Sequence, residues 1–261
     1  MTSAPNSNNR TAASDEALLQ LLDIAHFAEA RCRFRCDDRQ RDLLRRESRQ
    51  VALNCSRQSG KSTLAALKIL HTAFWRPKST VVVTAPVLQQ TRELLRKVRE
   101  FGRVAGLLDS KRGSKYCVEL ANGSRIVGVA ADEDTIRGFS SIALLVVDEA
   151  SRVDDAVFEA AEPMLAVSRG ALWIVSTPNG RRGYFYKACI SGDWVKLRVT
   201  AAECGRIPPA FLQKQRQKLG ERQFAQEFGC EFVELDRSVF DAESVDGAFQ
   251  RRVTVIPELE L

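Results

Sequence analysis

Cys55-Ser56-Arg57-Gln58-Ser59-Gly60-Lys61-Ser62-Thr63 lies between a short apolar run, Val51 to Cys55, and a helical pattern, Ser62 to Phe74. A strand that turns into a helix through glycine leaves the first helical amides without intrahelical acceptors and with partial positive charge. Such a turn reads as a phosphate-binding loop. Its backbone N–H groups cradle a triphosphate, Lys61 adds a full charge toward the β and γ phosphates, and Ser62 offers a hydroxyl to Mg2+. The usual pattern has glycine where this chain has Cys55. Gly60-Lys61-Ser62 alone would equally mark an ordinary helix start, and it is the strand before and the helix after that favour the phosphate reading.

Outward from this loop, short β-branched runs alternate with helical patterns, which predicts an α/β fold with a mainly parallel central sheet flanked by helices. Thr80 to Ala85 reads as a buried strand, Gln89 to Val104 as a basic amphipathic helix, and Ile142 to Val147 as another buried strand. A helix over Asp155 to Leu165 and strands at Ala171 to Ser176 and Trp194 to Val199 follow. Asn122-Gly123 tolerates positive φ at both residues, so Lys115 to Leu120 and Arg125 to Ala130 are expected to form a hairpin. Before the loop, a helix is expected from a Ser14 N-cap to about Ala30 and a second from Arg39 to Arg49. After Gly205, Pro208-Pro209 opens a helix to about Leu219, with another to Phe228. The expected domains are a disordered leader at 1–14, a core at 15–204, and a small linker or lid subdomain at 205–261.

Composition narrows the classes. With 261 residues, 44% hydrophobic and 28% charged, the chain can bury a substantial core. No run approaches the roughly 18 apolar residues of a membrane span, so a soluble, intracellular chain without a membrane partner is expected. Seven cysteines at irregular positions suggest reduced, mostly buried thiols, and Cys32 and Cys36 lack the partners of a zinc site. The net charge of +6 arises from 39 basic against 33 acidic residues, which permits a polyanionic partner without demonstrating one.

Two further strand ends carry chemistry. Asp148, closing Leu144-Leu145-Val146-Val147, can hold Mg2+ beside the phosphates, while Glu149 can orient and deprotonate an attacking water. Ser176-Thr177-Pro178-Asn179-Gly180 places hydroxyls where they could bond the γ-phosphate or the water, although an ordinary Pro-Asn-Gly turn explains the same letters.

With Thr84-Ala85-Pro86 and Arg137-Gly138 added to these motifs, most of residues 30 to 240 resembles the ATPase portion of the large terminase subunit of tailed bacteriophages. That family tolerates the missing first glycine. The resemblance implies a P-loop NTPase of the additional-strand type that hydrolyses Mg·ATP to drive double-stranded DNA into a procapsid. The implied partners are that DNA, the portal protein and the small terminase subunit. It further implies a homo-oligomeric ring when assembled, with a monomer the alternative in isolation, working in the host cytoplasm at the procapsid portal.

In that resemblance Gln40 reads adenine, with Phe34 near the base. The nucleotide is held by Gln40 and by Ser56, Arg57, Gln58, Ser59, Gly60, Lys61, Ser62 and Thr63. Glu149, Lys61 and Arg57 are catalytic, Ser62 and Asp148 hold the metal, and Ser176, Thr177 and Pro178 couple hydrolysis to movement. A sensor or trans-acting arginine would be Arg137, Arg96, Arg99, Arg103 or Arg112, each of which could equally be surface solvation or a DNA-phosphate contact. The stretch from Gly205 to Leu261 is too short for the family's nuclease domain, so no DNA cleavage is expected of this chain. Two rival readings share the loop: a helicase-like DNA-stimulated ATPase, and a non-hydrolysing P-loop assembly module.

Overall fold

The computed structural model describes residues 18, 22–46, 48–109, 113–205 and 207–234. The expected leader, the Ser14 cap and the end of the chain lie outside these residues. Helices α1 (Ile24–Ala30) and α2 (Asp38–Arg45) precede β1 (Gln50–Cys55), α3 (Lys61–Trp75), β2 (Thr80–Ala85) and α4 (Leu88–Val104). The hairpin strands β3 (Cys117–Glu119) and β4 (Arg125–Ala130) follow, then α5 (Glu133–Arg137), β5 (Leu144–Asp148), a 3-10 turn (Ala150–Arg152), α6 (Asp155–Ser168), β6 (Ala171–Ser176), α7 (Gly183–Ile190), β7 (Val195–Val199) and α8 (Pro209–Glu227).

The seven strands form one sheet in the order β3-β4-β2-β5-β6-β1-β7. Every neighbouring pair is parallel except β3 with β4. Such a sheet is buried on both faces, so its strands read as continuous apolar runs. Alternate residues sort into two cores. Leu53, Val83, Val146 and Trp173 face α1 to α4, packing with Phe27, Leu67 and Leu95. Ala52, Val82, Val147 and Ile174 face α5 to α7, packing with Ile136, Phe158 and Phe185.

Several expectations shift. The first helix is interrupted at Asp23, which is extended (φ −105°, ψ 108°) and whose Oδ1 accepts from the N–H groups of Ala25 and His26. A short acid that can bond backbone amides caps a new helix there instead of continuing the old one. The second helix stops at Arg45, because Arg46 is already extended (ψ 123°) on the way into β1. The Asn122-Gly123 turn forms with Gly123 at φ 82°, and Asn122 Nδ2 donates to the carbonyls of Ala73 and Phe74, fastening the hairpin to the end of α3. Helix α8 breaks at Gly220 (φ 75°, ψ 164°), as the expected pair of helices requires. Helices α5 and α7 were not anticipated.

The segment after α8 returns to the sheet beside the phosphate loop. Phe228 O accepts from Ala201 N at 2.8 Å, Cys230 O from Asn54 Nδ2 at 3.0 Å, and Gly229 O from Arg198 Nη2 at 2.6 Å. All seven thiols are free, with Cys32, Cys36, Cys55 and Cys230 buried. Among the described residues no helix is long and apolar enough to cross a membrane.

Candidate nucleotide site

Strands β1, β5 and β6 end side by side, so the three motifs they carry converge although they lie far apart in the chain. At the end of β1 the loop is pinned at its base, where Ser56 N donates to Val199 O of β7 at 2.9 Å and Ser59 Oγ donates to Ser56 O at 2.8 Å. Gln58 (φ 60°) and Gly60 (φ 92°) both adopt left-handed backbone. Gly60 is where the chain must reverse into α3, and a side chain there would be strained. Ser62 and Thr63 occupy the first turn of α3, and Thr63 N reaches back to Gly60 O at 2.9 Å.

Lys61 is 9% exposed. Its Nζ lies 3.2 Å from Glu149 Oε1 and donates to Thr177 Oγ1 at 3.0 Å. One cation therefore touches the carboxylate just after β5 and the hydroxyl just after β6. Thr177 Oγ1 in turn donates to Cys55 O at 3.2 Å. Glu149 is held at φ 51°, ψ 40°, an uncommon conformation for a residue with a side chain, costing on the order of 1 kcal/mol. Its side chain keeps 25% exposure, so it can meet water while touching Lys61.

Asp148 is buried, and its Oδ1 accepts from Glu149 N at 3.0 Å. Burial, then the neighbouring Glu149 charge, pushes its carboxyl up to about 6, against the pull of Lys61. A buried carboxylate at the end of β5 and a hydroxyl in the first turn of α3 are hard oxygen donors of the kind that suit magnesium.

Ser151 was missed in the sequence. Its N–H donates to Ser176 Oγ and its hydroxyl to Thr177 O at 2.8 Å, tying the turn after Glu149 to the Ser176-Thr177-Pro178 segment, all of which is buried. A lone serine two residues beyond an acidic pair carries no sequence signal of such a bond.

Beside the loop a cavity of about 380 Å³ is lined by Gln40, Cys55, Ser59, Lys61, Leu64, Val199 and Glu203, among others. Gln40 is 6% exposed, and its Oε1 accepts from Asp37 N at 3.2 Å while Asp37 Oδ1 accepts from Gln40 N at 2.9 Å. This reciprocal capping box leaves the Gln40 amide N–H groups as donors. Phe34, expected near a base, instead packs edge-on against Phe101 at 5.9 Å and is not among the cavity's lining residues. Burial pushes the Cys55 thiol up to about 11, so it behaves as a small apolar side chain.

The cavity rim is closed by Arg39 Nη1 and Glu203 Oε1 at 2.8 Å. Glu203 Oε2 accepts from Thr200 N and Thr200 Oγ1, each at 2.8 Å. Those bonds, with Arg39, hold its carboxyl down to about 2, below its ordinary 4.5. A depressed carboxyl contributes stability that is complete above the unfolded value and lost as pH falls through the folded one. Glu203→Gln is therefore expected to lower stability by about 1 kcal/mol or less at neutral pH, since the pair is half-exposed. In denaturant titrations the gap from the native chain should close between about pH 5 and pH 2, and a gap that stays constant would contradict it.

The expected arginines have these partners in the structure. Arg57, expected at the phosphates, pairs through Nε with Glu227 Oε2 of α8 at 2.6 Å. Arg137 pairs with Glu133 and Asp134 in its own helix. Arg96 pairs with Glu93 and Glu100, Arg99 donates to the carbonyls of Ser114 and Lys115, and Arg103 is exposed on α4. Arg112 lies outside the described residues.

A parallel sheet with a phosphate loop after β1, an acidic pair after β5, and β6 inserted between them defines a P-loop NTPase fold of the additional-strand type. The family follows from the sequence: residues 52–246 match the model described as terminase large subunit, T4likevirus-type, N-terminal, and the chain belongs to that family. The large terminase subunits of Thermus virus P23-45 and Thermus phage G20c are each 28% identical to it over 225 residues, covering 70% of this chain and 46% of theirs. The chain thus spans about half the length of the curated relatives it matches. The large terminase ATPase domain of Thermus phage P74-26 shares the fold, with a TM-score of 0.66 at 22% identity over 83% of this chain and 98% of that one. The large terminase of another thermophilic bacteriophage, solved in complex with ADP, has a TM-score of 0.59 at 14% identity over 75% of this chain and 53% of that one.

Proposed function

We propose that this chain hydrolyses Mg·ATP and uses the energy to translocate double-stranded DNA, as the motor portion of a large terminase. The observation that carries this reading is the convergence on Lys61 Nζ, which contacts Glu149 and Thr177 at once. A γ-phosphate seated on the amides of the loop would meet Lys61 on one side and a water held by Glu149 on the other. Ser62 and Asp148 would hold magnesium, which when bound neutralises charge on the phosphoryl oxygens. Glu149 takes the proton from the attacking water, and Lys61 stabilises the charge that develops on the transferring group.

The Gln40 donors suit the acceptor nitrogens of adenine. Arg57 in this reading exchanges Glu227 for the phosphates when nucleotide is bound. Ser176, Thr177 and Pro178 report the state of the γ-phosphate, and Ser151 carries that report to the turn after Glu149. The proposed setting is a ring of copies at the procapsid portal in the host cytoplasm, with the portal protein and small terminase subunit as partners. There an arginine from one copy, Arg96, Arg99, Arg103 or Arg112, completes the next copy's site, or Arg137 senses the phosphate within its own. In the domain division we favour, residues 15–204 form the ATPase core and residues from 205 onward the lid and linker.

The test is phosphate release with and without duplex DNA. The expected result is stimulation by duplex, abolition by EDTA, and no separation of the duplex strands. Strand separation would support a helicase instead, and release indifferent to DNA would contradict translocation.

A further inference from the structure

We propose that a basic cleft at the N-terminal edge of the sheet, on the far side of the domain from the nucleotide cavity, grips the phosphate backbone of duplex DNA. The inference rests on the DNA-translocation reading and adds the surface that would meet the DNA. The cleft has a volume of about 690 Å³ and lies among the ends of α2, α3 and α6 and the starts of β1 and β6. Arg45, Arg46, Arg49, Lys68, Arg76 and Arg169 line it. Asp23 is the one carboxylate among its described lining residues, and it is already taken by Arg45 at 2.7 Å.

Part of this charge has a structural origin. Helices on a parallel sheet end at this edge, and cations are favoured at helix C-termini. Arg46, Arg76 and Arg169 are the C-caps of α2, α3 and α6. That argument does not reach Lys68, which is in the middle of α3, or Arg49, which precedes β1. Neither forms an ion pair with a carboxylate among the described residues, and Lys68 Nζ instead sits 5.4 Å above the Trp173 ring. Burial, then the charge of Arg76, brings Lys68 down to about 8. Like charges gathered without counter-charge raise the energy of the free chain, and a polyanion laid along the cleft relieves it.

The dimensions suit a nucleic-acid backbone. Lys68 of α3 and its C-cap Arg76 are eight residues apart, about 12 Å at the helical rise of 1.5 Å per residue. Projected on the duplex axis, that span corresponds to roughly three to four base-pair steps of 3.4 Å rise, so both cations reach one short stretch of backbone. Arg49 and Arg169 face this row from the β1 and α6 sides. The lining holds one exposed aromatic, Trp75, and not the succession of rings on which separated bases would stack, which favours duplex over single strand.

The test is duplex binding by fluorescence anisotropy across a salt series, with a fluorescent ATP analogue titrated into the same samples. Arg49→Gln/Lys68→Gln should weaken duplex binding by about tenfold and flatten the log Kd against log salt slope by about two, one for each phosphate left without its cation. Arg76→Gln/Arg169→Gln provides a second pair that leaves Lys68 in place, and Lys214→Gln/Lys218→Gln, exposed on α8, is the control, expected to change little. Nucleotide affinity should be unchanged in both cleft pairs. Affinity and slope unaltered in both cleft pairs would overturn the inference. A native chain that binds nucleotide but no duplex would overturn it too, while leaving the hydrolase reading intact. Inorganic pyrophosphate should compete with duplex in the native chain and less so in the cleft pairs. Pyrophosphate that binds the cleft without displacing duplex would reassign it to a small anion and overturn the DNA occupant.

Discussion

Glu149→Gln is expected to reduce phosphate release by at least about 100-fold while leaving nucleotide binding near its native strength. A positioned general base contributes roughly 10²- to 10⁴-fold, and glutamine keeps the size of the side chain while losing the proton acceptor. The structure favours a selective effect. Glu149 sits at the mouth of the site with 25% side-chain exposure, held by a left-handed backbone that both residues would have to adopt, and its approach to Lys61 survives as a hydrogen bond. Single-turnover release and equilibrium binding on the same preparation separate the two effects. Equal loss of binding and release would mean that Glu149 serves to hold Lys61 and not to activate water.

Lys61→Met is expected to remove both functions, weakening nucleotide binding by at least about tenfold and cutting turnover by about 10²- to 10³-fold. Methionine keeps most of the aliphatic stem, so the packing of α3 is preserved while the charge is lost. Without Lys61 the adjacent Glu149 and Asp148 lose the cation that contacts Glu149 and pulls on Asp148, and Asp148 is already pushed up by burial and by Glu149. An approaching triphosphate would meet both carboxylates without the buried lysine that contacts Glu149. Thr177 would keep its bond to Cys55 O, so the segment after β6 should hold its place. Native-strength binding with lost turnover would contradict a role for Lys61 in holding the phosphates.

What could be read in the sequence was what depends on neighbouring residues. The loop from Ser56 to Ser62 and the Asp148-Glu149 pair announce themselves because strand, turn and helix must follow one another at fixed spacing. Thr80 to Ala85 and Ala171 to Ser176 read correctly at both ends because both faces of each strand are buried. The strand order was not legible, because it depends on which distant segments pair, and so the neighbourhood of β1 and β6 emerges only in three dimensions.

The same limit hid the pairings that complete the site. Arg39 and Glu203 are 164 residues apart and Arg57 and Glu227 are 170 apart, so no local pattern links them. Gln40 entered only through the resemblance to large terminases, since a glutamine three residues after Asp37 otherwise means a capping box, which it also forms. Helices α5 and α7 escaped because each is short: α5 has 5 residues and α7 has 8, too few for a period to stand out.

The central claim is that the loop, the acidic pair and the Ser176-Thr177 hydroxyls form one hydrolytic site. Steady-state phosphate release per subunit from Mg·ATP, followed across protein concentration, tests it most directly. The predicted result is continuous release that stops on chelation of the metal, with turnover per subunit rising where copies associate and complete one another's sites. Tight nucleotide binding with no release at any concentration would contradict it and mark the chain as a nucleotide-dependent assembly module.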